Sequence, residues 1–151
     1  MADRERHEVL VYGPDGELVK TIGKHGRGKA EFFRPTAVAY DATRDRLLVA
    51  DKDNHRVQIL TAEGDFILSF GRRGNFPGQF FFPWGVAVSR DGKYIVVADS
   101  RNHRIQLFTH DGKFLRKFNV CSNDKSSTAY KKEFDYPRGV CFDPTGKFVR
   151  I

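Results

Sequence analysis

The chain has 151 residues, 40% of them hydrophobic, with a formal net charge of +7 and an isoelectric point near 9.6. That content supports one ordinary folded unit, and no apolar run approaches the roughly 20 residues of a membrane helix. Met1 to His7 is too polar for a signal peptide, and two cysteines, Cys121 and Cys141, fall short of a disulfide scaffold or a four-ligand zinc site. They read as free thiols of a cytoplasmic protein, while the basic balance points to a polyanionic partner.

In chain order, residues 1–7 read as a disordered lead-in. Glu8 to Tyr12 and Leu18 to Ile22 then form two strand-like runs, a half unit over 8–22. A full unit over 35–70 follows, with strands a to d at Ala37 to Tyr40, Leu47 to Ala50, Arg56 to Leu60 and Phe66 to Phe70. A second full unit over 83–118 repeats it at Gly85 to Ser89, Tyr94 to Ala98, Arg104 to Phe108 and Phe114 to Phe118. Val49-Ala50-Asp51-Lys52-Asp53-Asn54-His55-Arg56-Val57-Gln58-Ile59 returns as Val97-Ala98-Asp99-Ser100-Arg101-Asn102-His103-Arg104-Ile105-Gln106-Leu107, and Gly16, Gly64 and Gly112 keep the same step. The third repeat is longer, and its surplus, Cys121 to Lys132, reads as a mobile surface loop. A last half unit, 137–151, holds an a strand at Gly139 to Asp143 and the start of a b strand at Phe148 to Ile151.

Val57 and Ile59 alternate with Arg56 and Gln58, a period of two, and Asp-Gly pairs at 15–16, 91–92 and 111–112 supply hairpin turns. Short strands recurring every 40–50 residues mark propeller blades. The expected fold is an all-β propeller with four-stranded antiparallel blades, two complete and two half. That is fewer than the 4–8 blades of a closed ring. Either the chain is a fragment of a longer propeller, or two copies close the ring between them.

The run Phe70-Gly71-x-x-Gly74-x-x-x-Gly78-Gln79-Phe80-x-x-Pro83-x-Gly85-Val86-Ala87-Val88, followed by Val96-Val97-Ala98-Asp99-x-x-Asn102-His103-Arg104-Ile105-Gln106-Leu107-Phe108, resembles the NHL repeat. The Asn-His-Arg versions are most similar to the tripartite-motif NHL proteins, including the Brain tumor-like branch. The resemblance implies a six-bladed propeller, placed in some members behind RING, B-box and coiled-coil parts. It implies RNA binding with repression of messenger RNAs, or recruitment of protein substrates to a RING-type E3 ubiquitin ligase. The third repeat departs from the pattern, with Asn119 where Gly23 and Gly71 stand and only Phe134 left of the Gly-Gln-Phe element.

In an up-and-down blade the b–c and d–a loops open on one face and the a–b and c–d loops on the other. The first set gathers the cations: Arg27, Lys29 and Arg34, then Arg72 and Arg73, then Arg101 and Arg138. The second is net acidic, through Asp15, Glu17, Glu63 and Asp65. Phe76, Phe81, Phe82, Trp84 and Tyr136 lie beside the same arginines, a pairing that suits single-stranded nucleic acid, where a stacked base contributes about 1–3 kcal/mol. Phe32, Phe80 and Phe134 read as packing anchors between blades; Phe81, Phe82 and Trp84 are open between packing and contact. Arg34, Trp84 and Arg138 are expected at one repeat position beside the turn prolines, near the central opening. The expected RNA-binding set is Arg27, Lys29, Arg34, Lys52, Arg72, Arg73, Phe82, Trp84, Arg101, Tyr136 and Arg138.

Asp51, Asn54, His55 and Arg56, with Asp99, Asn102, His103 and Arg104, are expected to be structural. The Asn caps the b–c turn, the Arg pairs with the Asp, and the histidines sit too far apart to share a metal. The related propeller lyases and lactonases hold a metal at the channel, but the a strands here offer no inward carboxylate or His. No Ser-His-Asp or paired-carboxylate set stands out either. The sequence therefore reads as a binding module without cofactor or metal, its partner RNA, with protein recruitment as the alternative and no role for a membrane.

Overall fold

The structure, a computed structural model, describes residues 1–118, 135–146 and 149–151. It contains two four-stranded antiparallel sheets of the same design. One runs β4 (Pro35–Asp41), β5 (Arg46–Asp51), β6 (Arg56–Thr61), β7 (Phe66–Phe70), and the other β8 (Pro83–Val88), β9 (Tyr94–Asp99), β10 (Arg104–Thr109), β11 (Phe114–Phe118). Their registers coincide, Ala50 facing Val57 in one and Ala98 facing Ile105 in the other. A 3-10 turn joins the second and third strands of each, Lys52–Asn54 and Ser100–Asn102. A two-stranded sheet, β12 (Cys141–Phe142) with β13 (Val149–Arg150), begins the next blade. The notable sites at Asn119, Cys121 to Lys132, Phe134 and Phe148 lie outside the described residues.

The N-terminal segment differs from expectation. Residues 1–7, expected to be disordered, include a strand, β1 (Ala2–Asp3), paired with β2 (Glu8–Tyr12), which pairs in turn with β3 (Leu18–Ile22). Ala2 faces Val9 and Asp3 faces Glu8, the register that Ala50 and Asp51 keep with Val57 and Arg56. The Met1 ammonium donates to the Leu10 carbonyl at 2.6 Å, and Asp3 accepts from the N–H groups of Glu5 and Arg6. Met1 to His7 is thus the end of a b strand and its b–c turn, tied down by backbone pairing that its polar composition concealed.

The core lies between sheets. Leu48, Ala50, Val57 and Ile59 pack from one blade against Phe80, Val86, Ile95, Val97 and Phe108 of the next. Val49 and Leu60 point the other way, onto Val9, Ile22 and Phe32, while Val96, Ala98 and Ile105 cover Val140 and Phe142. Both faces of each blade are buried, which is why Leu47 to Ala50 and Ile95 to Ala98 read as unbroken apolar runs rather than alternating ones. Each fully buried Leu, Ile, Val or Phe contributes about 1.5–3 kcal/mol. Phe80 seats on Gly71, whose φ is 92° and where a Cβ would come within 2.3 Å of the ring; Phe32 and Gly23 repeat the arrangement. The backbone at that turn adopts a conformation suited to glycine, and the ring needs the same empty space.

Candidate functional site

The repeated polar residues fasten each d–a loop to the blade that follows it. Asp51, fully buried, accepts from the Phe33 N–H at 2.7 Å, Asn54 Nδ2 at 2.9 Å, Arg56 Nε at 2.7 Å and Gln58 Nε2 at 3.2 Å. Asp99 repeats the set with Phe81, Asn102, Arg104 and Gln106. The remaining donors of those side chains reach loop carbonyls: Asn54 to Gly26, Arg56 to Gly28 and Glu31, Gln58 to Glu31. Backbone groups that a long irregular loop would leave buried and unpaired are satisfied this way.

Three histidines do a second job. His7, His55 and His103 all take the left-handed conformation after their turns. Through Nδ1 each accepts the N–H of the residue before the next proline: Arg34 at 2.9 Å, Phe82 at 3.2 Å and Tyr136 at 3.4 Å. Those three residues are themselves left-handed, with φ of 51°, 57° and 49°. For a non-glycine residue before proline that is a strained conformation, held by its surroundings. It corrects the expected register. Arg34 is the counterpart of Phe82 and Tyr136, whereas Trp84 and Arg138 lie two positions further on, with Thr36. The one-residue identity of the proline, not the arginine, marks the repeat.

Turned in this way, the side chains converge. Arg34, Phe82, Trp84, Tyr136 and Arg138 line one cavity of about 420 Å³ together with Lys52 and Arg101 from the two b–c turns. Seven of the eleven residues expected to bind RNA are therefore brought to one place. Cations and rings interleave there. Arg138 lies 4.6 Å over Trp84, Arg101 5.4 Å over Tyr136, and Lys52 4.8 Å over Phe82. Arg73 stands beside the group, 5.4 Å over Phe81, which stacks on Phe82. Arg27 and Arg72 are exposed on the same loops but outside the cavity. Lys29 is turned away, its ammonium 5.4 Å over Phe66 at the start of β7.

Two cavity residues, Asp53 and Ser100, were missed by sequence reasoning, as was Arg4 beside the cavity. Asp53 ion-pairs with Lys52 and lies 3.9 Å from Arg34, so it partly neutralises one wall. It occupies in the first full blade the position of Arg101 in the second, a difference visible in the aligned repeats. Arg4, which lies 5.8 Å over Trp84, is the counterpart of Lys52 in the N-terminal turn. Burial, reinforced by Arg73, holds His55 below its ordinary pKa of 6.5, with Lys52 and Arg27 acting the same way and Asp53 opposing. A neutral imidazole is what the Phe82 N–H requires as an acceptor.

Among the described residues no three His, Cys, Asp or Glu side chains come together as a metal site. No described helix is long and apolar enough to cross a membrane.

Against known proteins, the NHL repeat family model matches twice, at residues 32–60 and 80–108, the two complete blades from the anchoring Phe to the third strand. The chain thus carries two NHL repeats in a propeller fold, a repeat whose propellers typically serve as binding modules. No curated protein sequence matches the chain. Among solved structures, the Kuenenia stuttgartiensis Hydrazine Synthase is similar over 97% of this chain, with a TM-score of 0.65 at 18% identity. The chain spans 36% of that protein's length, and the likeness is one of fold.

Proposed function

We propose that the face formed by the b–c and d–a loops binds single-stranded RNA, and that the chain serves in post-transcriptional control of messenger RNA in the cytoplasm. The observation that carries this reading is the convergence of Arg34, Lys52, Arg101 and Arg138 with Phe82, Trp84 and Tyr136 around one cavity. Phosphates are drawn by the cations and bases by planar groups, rings or guanidinium faces, at the same surface. Similarity to the tripartite-motif NHL and Brain tumor-like proteins supports the same direction, and further blades or a second copy would complete the ring. The test is fluorescence anisotropy with single-stranded RNA across a salt series. The affinity should fall with a log–log slope of about −0.7 per phosphate neutralised, and Arg101→Glu with Arg138→Glu should reduce both affinity and slope. Absence of binding at low salt, or binding indifferent to salt, defeats the reading.

A second reading, recruitment of a protein substrate to a ubiquitin ligase, is favoured by Phe76. It is 70% exposed on the same d–a loop and outside the cavity. A lone apolar ring projecting from a loop is a contact for a protein surface rather than for phosphate.

A further inference from the structure

Resting on the RNA reading, we infer that the cavity is a seat for a terminal phosphate, a monoester dianion, so that the chain end of a nucleic acid is recognised separately from its backbone. Four cations face it against the one carboxylate of Asp53, and they are not alike. Lys52 and Arg34 share Asp53 and form one wall. Arg101 and Arg138 form the other, with no carboxylate or hydrogen-bond acceptor of their own among the described residues; each is held by a ring instead. A guanidinium stacked on an aromatic face keeps its N–H edge rigid and unspent, five donors in a planar fork that matches phosphate oxygens.

Trp84 and Arg138 also line a second cavity of about 290 Å³, with Ala37, Val86 and Val140 among its other walls. The supply of donors selects an end over a bridge. A diester within a chain offers two unesterified oxygens and one negative charge to the four cations, whereas a terminal phosphate presents three unesterified oxygens and a single attachment. Its second ionisation, near pKa 6, leaves a charge close to −2 at neutral pH for the two unshared arginines. Asp53, already committed to Lys52, repels a second anion and limits occupancy to one group.

The experiment compares one single-stranded RNA sequence carrying a phosphate or a hydroxyl at its end, with the 5′ and 3′ ends tried separately. Binding to the whole chain is measured at constant salt, with pyrophosphate as competitor. For one of the two ends the phosphorylated RNA should bind about tenfold more tightly, a preference of about 1.4 kcal/mol. Arg101→Gln with Arg138→Gln should abolish that preference, and pyrophosphate should compete for it. Both arginines are exposed, so thermal unfolding of the double variant should match the parent. Equal affinities for phosphate and hydroxyl at both ends overturn the inference while leaving RNA binding in place. If neither RNA binds but pyrophosphate does, dependent on Arg101 and Arg138, the seat stands as one for a small phosphorylated compound and the RNA reading fails.

Discussion

At the scale of single residues, the histidine of the Asn-His-Arg element joins the scaffold to the candidate site. Its Nδ1 holds the N–H of a left-handed residue whose side chain enters the cavity, so the imidazole must be neutral to do its work. Burial first, then the charge of Arg73, lowers the pKa of His55. The unfolded chain therefore takes up the proton before the folded one. The stability that neutral His55 contributes is complete above pH 6.5 and is lost as the pH falls below that, through the lowered folded value. Thermal unfolding followed from about pH 8 to about pH 5 should show the melting temperature declining on the acid side. His55→Gln, which cannot titrate, should show a shallower decline. Identical pH profiles for parent and variant would remove the imidazole from this role.

At the scale of elements, the clasp between a d–a loop and its blade is strongest where it is driest. Arg104 keeps only 4% of its side chain exposed and Arg56 16%, over carboxylates that are both fully buried. Burial pushes the Asp99 carboxyl up, and the Asn102, Phe81 and Arg104 donors oppose that push. Arg104→Met would leave Asp99 buried without its counter-charge and should cost about 3–5 kcal/mol in urea unfolding. Arg56→Met should cost less, and adding Asp99→Asn to Arg104→Met should recover part of the loss. A cost for Arg104→Met no larger than that for Arg56→Met would mean that burial does not set the value of the clasp. These elements were legible in the sequence because the repeat compares like with like. The strands β4 to β11 fall within two residues of where alternation and turn pairs put them. The N-terminal turn was not legible. Arg6, Glu8 and Leu10 stand there in place of Asn54, Arg56 and Gln58, and only Ala2, Asp3, His7 and Val9 repeat their counterparts. The register of the cavity residues was open to view, since the step that pairs Pro35 with Pro83 pairs Arg34 with Phe82. The left-handed backbone at Arg34, Phe82 and Tyr136 was not, because no glycine or asparagine announces it.

At the scale of the whole molecule, polarity runs along the blades. The cavity and the loop bearing Arg72 and Arg73 lie at one end, and the β6–β7 hairpin bearing Glu63 lies at the other. A strand of six residues at about 3.3 Å each separates the two ends by roughly 20 Å. The Debye length at physiological salt is about 8 Å. A charge at the hairpin is therefore screened from a ligand on the loop face, while a charge beside Phe81 is not. Arg72→Glu with Arg73→Glu should weaken RNA binding at least about tenfold at ~0.15 M salt and flatten the salt slope, since up to two phosphate contacts become repulsive. Glu63→Lys should leave the affinity within about twofold at the same ionic strength. It breaks only the exposed pair with Lys20, worth about 0–1 kcal/mol of stability, so the fold survives for the comparison. Anisotropy titrations of the two variants against one RNA decide the matter. A comparable change from Glu63→Lys would mean that the ligand spans both ends or responds only to total charge, and the loop face would lose its claim to be the site.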